Sequence, residues 1–296
     1  MKLSNKNTSI VAIVPTYNSW NTLKQCLASL QRQTFRLKEV VVVDNGSTDA
    51  TSPNVRKEFS GTTLVTLREN TGVTGGRNKG LEIARKLNPD FFLIFDHDMV
   101  ANPNMLSELL LPFFDNTKVG ITTPKIYYWD NKEIIWAAGT GVNLWTGQTI
   151  FRGGKDNGQF EQTQEVAVAP AVLLVKAEVV EKVSGFDEKY FATYEDTDFC
   201  FRAKNKGFLT FYTPKAIAYH KIPYDDRDAM RRLLERTYYI GRNRVLFMKK
   251  FAKSYPIFLL FISIYLLYYL YLSLKYSSPK AVLDFIRGTI SGMIET

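Results

Sequence analysis

Residues 91–100 read FFLIFDHDMV: five apolar residues, then Asp96-His97-Asp98, then two more apolar ones. A strand with one wet face alternates polar and apolar positions, whereas a run that is apolar throughout belongs to a strand covered on both faces. Burying an unpaired carboxylate is costly, so acids that close such a run need a partner or a ligand. Two other segments have the same character, residues 10–15 (IVAIVP) and 40–44 (VVVVD). Between them, residues 21–33 carry Leu23, Leu27 and Leu30 at helical spacing. Residues 63–67 are a third strand, followed by a helix near 77–87. Residues 91–95 are the fourth strand, and 103–114 a helix with Pro103 at its start. This alternation predicts a doubly wound α/β sheet, which binds ligands beyond the carboxyl ends of its strands. Polar residues gather there: Thr16, Tyr17 and Asn18; Asp44, Asn45 and Gly46; Asp96, His97 and Asp98.

Residues 120–175 are richer in glycine, aromatics and alternating patterns, which predicts hairpins. Residues 166–175 form an apolar strand, 196–206 a helix, and 209–212 and 216–219 two short strands. With 296 residues the chain can bury a sizeable core. Its two cysteines, Cys26 and Cys200, lie far apart without a CxxC spacing, which fits a reducing compartment. No signal-peptide pattern precedes the first strand. Residues 201–296 carry 17 basic and 6 acidic side chains, against 21 and 23 in residues 1–200. Residues 227–253 interleave the basic groups with apolar ones at helical spacing. Residues 257–274 (IFLLFISIYLLYYLYLSL) hold no charge, and as a helix would extend about 27 Å, close to a bilayer core. A basic stretch beside an apolar one indicates anionic lipid rather than nucleic acid, at the cytoplasmic face, as a single-pass or peripheral attachment.

Several constellations could carry chemistry. If the strand continues through Asp96-His97-Asp98, the two carboxylates share one face and His97 takes the other. Paired carboxylates suit a hard divalent cation, although an isolated D-x-D is also common in solvated loops. Asp44 ends its strand ahead of Ser47, Thr48 and Asp49, which suit a turn and a helix cap. The Gly-rich stretch 70–80 (NTGVTGGRNKG) opens a helix, and its Gly75 and Arg77 would favour phosphate. Glu195 and Asp196 stand at a helix start with Asp198 and Arg202. His220 ends a strand, where a lone imidazole is more often structural than ligating.

In order, VPTYN, DNGSTD, NTGVTGGRNKG, DHD, GFDEKYFATYEDTDFCFRAKNKG and His220 resemble a family 2 glycosyltransferase of the GT-A fold, nearest its rhamnosyltransferase-like subgroup. The likeness covers about residues 9–250. It implies a Rossmann-like mixed sheet with flanking helices, here with a C-terminal basic amphipathic and hydrophobic helical region. The expected division is a catalytic domain over 1–225, nucleotide-binding to 120 and acceptor-binding from 121, and a membrane-associating region over 226–296. The resemblance implies inverting transfer of a sugar from a UDP- or dTDP-sugar to a glycan or lipid-linked acceptor, with Mn²⁺ or Mg²⁺. It places Pro15, Thr16, Tyr17 and Asn18 at the nucleoside, Asp44 at the base, Gly75 and Arg77 by the nucleotide, and Asp96 near the ribose with His97 beside it. It makes Asp98, with Asp96 and His220, the metal ligands, and Asp196, beside Glu195, the general base. At an ordinary aspartate pKa that base would be ionised at pH 7. A sugar-nucleotide pyrophosphorylase and a catalytically silent, membrane-tethered binding protein are the alternatives.

Overall fold

In the computed structural model, which describes residues 8–295, strands and helices alternate through the first hundred residues. They are β1 (Ile10–Thr16), α1 (Trp20–Gln31), β2 (Glu39–Asp44), α2 (Thr51–Glu58), β3 (Thr63–Thr66), α3 (Gly72–Arg85) and β4 (Phe91–Phe95). Then come β5 (Met99–Ala101), α4 (Met105–Leu110), α5 (Pro112–Asp115), β6 (Val119–Tyr128), β7 (Ile134–Ala137), β8 (Thr140–Val142) and β9 (Thr149–Phe151). β10 (Gly154–Lys155), β11 (Gln164–Val166), β12 (Val172–Lys176), α6 (Ala177–Val183), α7 (Glu195–Asn205) and β13 (Leu209–His220) follow. Four helices end the chain: α8 (Asp226–Glu235), α9 (Thr237–Phe251), α10 (Tyr255–Lys275) and α11 (Pro279–Ile294).

The main sheet runs β10-β7-β6-β12-β4-β1-β2-β3. β1 pairs in parallel with β2 and β4, and β2 with β3, while β12 lies antiparallel between β4 and β6. The sheet is therefore mixed. Every residue of β1 and β4 is buried, and alternate side chains serve opposite faces. Ile10, Ala12 and Val14 pack with Leu23 and Leu27 of α1 and Leu106 of α4. Val11 and Ile13 pack with Leu81 of α3, Val179 of α6 and Phe199 of α7. Apolar burial on both faces, worth about 1.5–3 kcal/mol for each large side chain, explains why these runs carry no polar residue until their ends.

Three local readings change. The apolar run 166–175 is two strands: Pro170 and the left-handed Ala171 (φ 60°) divide it, so β11 pairs with β13 while β12 joins β4. The helix expected over 103–114 is two short ones, with Pro112 at the start of the second. The two strands expected over 209–219 are one, β13, irregular between Thr213 and Ile217.

A fourth change concerns FFLIFDHDMV. The strand stops at Phe95, and residues 96–98 form a turn into β5, so strand alternation does not govern them. The Asp96 amide donates to the Ala171 carbonyl and the Met99 amide to the Asp96 carbonyl. β5 then pairs antiparallel with the end of β13, setting Met99 opposite His220. That register draws His220 to the turn from more than a hundred residues away.

The C-terminal helices pack back onto this body. α9 and α11 cross closely because Gly241, Gly288 and Gly292 have no side chains, and a Cβ at Gly288 would overlap the Tyr238 carbonyl. α10 is long and apolar enough to cross a membrane by length and composition. One side of it rests on the body: Phe258 is fully buried, and the Tyr265 hydroxyl donates to the Thr146 carbonyl at 3.0 Å. The other side shows Leu260, Leu267 and Leu274, each 65–74% exposed. Replacing Gly288 by Ala forces the α9–α11 backbones apart, at about 1–3 kcal/mol for overpacking. We expect a lower thermal unfolding midpoint for Gly288→Ala, and no change in the midpoint would show that the seam tolerates a methyl group.

Candidate functional site

Arg77 is the least exposed large side chain of the site, at 0%. It stands on the second turn of α3, whose start is clamped to the chain around Phe191. The Val73 amide donates to the Phe191 carbonyl at 2.9 Å, and the Thr74 hydroxyl donates to the Tyr190 carbonyl. Gly72, at φ 75°, is needed there, since a Cβ would overlap Phe191. From this position Arg77 Nη2 donates to Asp96 Oδ1 at 2.7 Å, and Nη1 to Asp196 Oδ1 at 2.5 Å and Glu195 Oε1 at 3.4 Å. One guanidinium thus holds three carboxylates from three segments. Its ring neighbour is Phe186, 5.2 Å from the guanidinium carbon. Enclosed by acids, Arg77 is fixed in its charged form, although burial alone would work against the charge.

The carboxylates respond to the same enclosure. Burial, reinforced by neighbouring Asp196, pushes Glu195 up to about 7 against the pull of Arg77. Its Oε2 is buried without a hydrogen-bond partner. Asp196 is also raised, chiefly by burial, with Arg77 opposing. Its Oδ2 accepts from the Ala171 amide at 3.1 Å, and each oxygen keeps a lone pair for a further proton or donor. The pair is aimed by unusual backbone: Thr193 (φ 65°) and Tyr194 (φ 68°) are both left-handed just before α7. Asn243 of α9 holds that loop, its amide donating to the Ala192 and Thr193 carbonyls at 2.6 and 2.9 Å.

A cleft of about 370 Å³ opens beside these groups at the carboxyl ends of the strands. Pro15 and Thr16 from β1, Tyr17 just after it, the whole Asp96-His97-Asp98 turn, Glu195, Asp196 and His220 all line it. His97 therefore shares the cleft with its neighbours and does not face away. Asp98 Oδ2 lies 3.1 Å from His220 Nε2, and this imidazole holds the Asp98 carboxyl far below the usual range despite burial. Trp136 sets its ring edge-on to His220 at 4.4 Å between centroids.

Other candidates lie elsewhere. Arg77 is buried behind the carboxylates, not against the cleft. Asp96 gives one oxygen to Arg77, while Asp98 and His220, both half-buried, face each other on the cleft wall. Asp44 is fully buried: its Oδ1 accepts from the Ser47 amide at 2.9 Å and its Oδ2 from the Ser52 hydroxyl, so it closes its own loop. Asn18, left-handed at φ 46°, ties β1 to that loop by accepting from the Thr48 amide at 2.8 Å. Gly75 lies against Thr71 on the far side of α3. At the start of α3 the Val73 amide is taken by the Phe191 carbonyl. Arg236, at the junction of α8 and α9, does line the cleft and has an exposed side chain. Its place in a run of basic residues hid it among groups assigned to lipid.

Among the described residues, no three His, Cys, Asp or Glu side chains gather as a ligand set. The pair Asp98–His220 nevertheless fits a divalent ion that completes its shell with ligand oxygens, because it offers one carboxylate and one imidazole. The second ring nitrogen of His220 is buried without a partner, so nothing in the protein commits the imidazole to another bond.

A mixed sheet with paired acids in a cleft at its carboxyl edge is the GT-A architecture. Residues 11–183 match the family described as Glycosyl transferase family 2, and the chain belongs to it. This sets aside the pyrophosphorylase and the silent binding protein. Among curated relatives, dTDP-rhamnosyl transferase RfbF of Shigella flexneri is 26% identical over 224 residues, covering 73% of this chain and 70% of RfbF. The N-acetylglucosaminyl-diphospho-decaprenol L-rhamnosyltransferase of Mycobacterium tuberculosis is 26% identical over 243 residues, covering 75% and 79%. Other relatives are longer, and for two of them the match spans only 33% and 11% of their length. In fold, the chain is similar to the mannosyltransferase PcManGT from Pyrobaculum calidifontis, solved with GDP-Man and Mn²⁺. The TM-score is 0.59 at 18% identity, covering 99% of this chain and 77% of that one.

Two outcomes follow from the buried arginine. Arg77→Met leaves three carboxylates uncompensated and costs about 3–5 kcal/mol at pH 7. Denaturant unfolding should show that loss shrinking as the pH falls and the acids protonate. In the native protein, Glu195 keeps its proton up to about pH 7 when folded, against 4.5 for an ordinary glutamate. Its contribution to stability is full below pH 4.5 and is lost as the pH rises to 7. Glu195→Gln should flatten this part of the stability–pH curve, and an unchanged slope would place the titration on another group.

Proposed function

We propose that the chain is an inverting, metal-assisted sugar transferase of the rhamnosyltransferase-like kind, acting on a glycan or lipid-linked hydroxyl with a dTDP- or UDP-sugar as donor. The observation that carries this reading is that one cleft holds Asp196, a base of raised pKa, together with the Asp98–His220 pair. Pro15, Thr16 and Tyr17 line the end where a nucleoside would rest. A dTDP donor is favoured by the name of RfbF, and a lipid-linked acceptor by that of the mycobacterial relative.

Asp98 and His220 would hold the divalent ion, which when bound offsets the negative charge of the donor diphosphate. Arg77 cannot do this from its buried place, so Arg236 on the cleft wall is the protein cation for that charge. Asp196 takes the proton of the acceptor hydroxyl as that oxygen attacks the anomeric carbon from the face opposite the nucleotide. A base whose pKa lies nearer the working pH is more effective, and such catalysis contributes about 10²–10⁴-fold. Arg77 fixes the direction of the Asp196 carboxylate, and the Ala171 amide holds its second oxygen. Residues 226–296 form a membrane-associating region. Because α10 is fastened to the body near its start, middle and end, it lies along the membrane surface with its leucine face inward rather than crossing.

Asp196→Asn should keep nucleotide binding and lose transfer by about 10²-fold or more. If calorimetric affinity for the nucleotide and turnover fall together, Asp196 is not the base. Asp98→Ala should abolish the gain in nucleotide affinity that Mn²⁺ gives the native protein, and Arg236→Ala should raise the donor KM with metal present. Titrating UDP, dTDP and GDP in turn would identify the base.

A further inference from the structure

A second cavity, of about 720 Å³, lies between the β8–β9 hairpin, α7, α9 and α10. Its most unusual wall is Arg244. The side chain is only 9% exposed, yet among the described residues no carboxylate pairs with it. Its guanidinium lies 3.9 Å from the centre of the Tyr265 ring, and its Nε donates to the Tyr194 hydroxyl at 3.3 Å. Its Nη1 is buried with no hydrogen-bond partner. A guanidinium has five donors, and in this wall residue of the cavity the two on Nη1 are buried and unmade, which is costly unless an occupant of the cavity offsets the charge. The chemistry that compensates a buried, stacked guanidinium is an anion, and planar bidentate donors suit phosphate best.

The surroundings narrow the anion further. Phe261, Ile264 and Tyr268 of α10 make the outer wall, so the cavity is apolar on the side whose helix bears the exposed leucine face. Thr193 lines both this cavity and the catalytic cleft, two residues before Glu195 and three before Asp196. A molecule anchored here thus has one end toward lipid and the other toward the base. We propose that Arg244 binds the phosphate or diphosphate of a lipid-linked acceptor, its hydrocarbon chain running along α10 and its sugar entering the cleft past Thr193. This rests on the lipid-linked acceptor reading above and gives it a location.

The test uses the full chain in detergent micelles with farnesyl diphosphate as the probe, in EDTA and in the presence of excess UDP and dTDP. The native protein should bind farnesyl diphosphate under these conditions, and inorganic pyrophosphate or farnesol at least about tenfold more weakly, since each lacks half of the site. Arg244→Gln should weaken farnesyl diphosphate binding by about tenfold or more, the scale of a lost charge-assisted hydrogen bond. Ile264→Trp, at a position 55% exposed and so tolerant of change, should block the probe while the unfolding midpoint holds. This second variant decides the matter if Arg244→Gln does not fold. Equal binding by the native protein and both variants overturns the proposal, as does displacement of the probe by the nucleotides. Pyrophosphate binding as tightly as farnesyl diphosphate overturns the lipid assignment. Loss of nucleotide binding with the probe still held would count against the donor reading alone, so the two failures are separable.

Discussion

The Arg77 guanidinium, at 0% exposure, is the interaction around which the site is built. Asp96 follows β4, Glu195 and Asp196 open α7, and Arg77 belongs to α3, so a single cation pins three elements to one another. Three carboxylates this close would repel strongly in a protein interior without a countercharge. With one arginine among them, the cluster is held together but remains short of positive charge. Burial, with that shortfall added to it, keeps Glu195 and Asp196 raised above their ordinary pKa values. The arginine that secures the architecture opposes this rise while it fixes the direction of the Asp196 carboxylate.

A second dependence runs through the C-terminal helices. They are more than a basic, apolar appendage, because Asn243 of α9 grips the backbone of residues 192–193 immediately before the acidic pair. α9 in turn is clasped by α11 through the glycine seam, and α10 closes over the Arg244 cavity. The region that carries the positive charge and the exposed leucines is thus mechanically continuous with the loop that aims Asp196.

Much of this was legible in the residues. Unbroken apolar runs mark β1, β2 and β4 because both faces of a parallel strand are covered, and the polar residues after each run gather at one edge for the same reason. The motif likeness brought Asp98, His220 and Asp196 to attention, and the fold sets them in one cleft. Other features needed three dimensions. Nothing in the spacing of Asp96, His97 and Asp98 tells a strand from a turn, and the difference decides where His97 points. The motif likeness places Arg77 by the nucleotide and Asp44 at the base. The fold buries both and gives them internal partners, which for Arg77 come in part from segments more than a hundred residues away. Arg236 and Arg244 were concealed in a run whose net charge explained them collectively.

The two left-handed residues, Thr193 and Tyr194, carry one more implication. Side chains in that conformation cost about 1–3 kcal/mol of backbone strain each, a load that glycine would not bear. The loop is therefore a place where durability and turnover pull in opposite directions. Substitutions that relax it would be favoured in a screen for thermostability while blunting the aim of the carboxylate next door. Evolution toward a hotter habitat would have to find its stability elsewhere in the molecule, leaving this short kink as an inherited compromise.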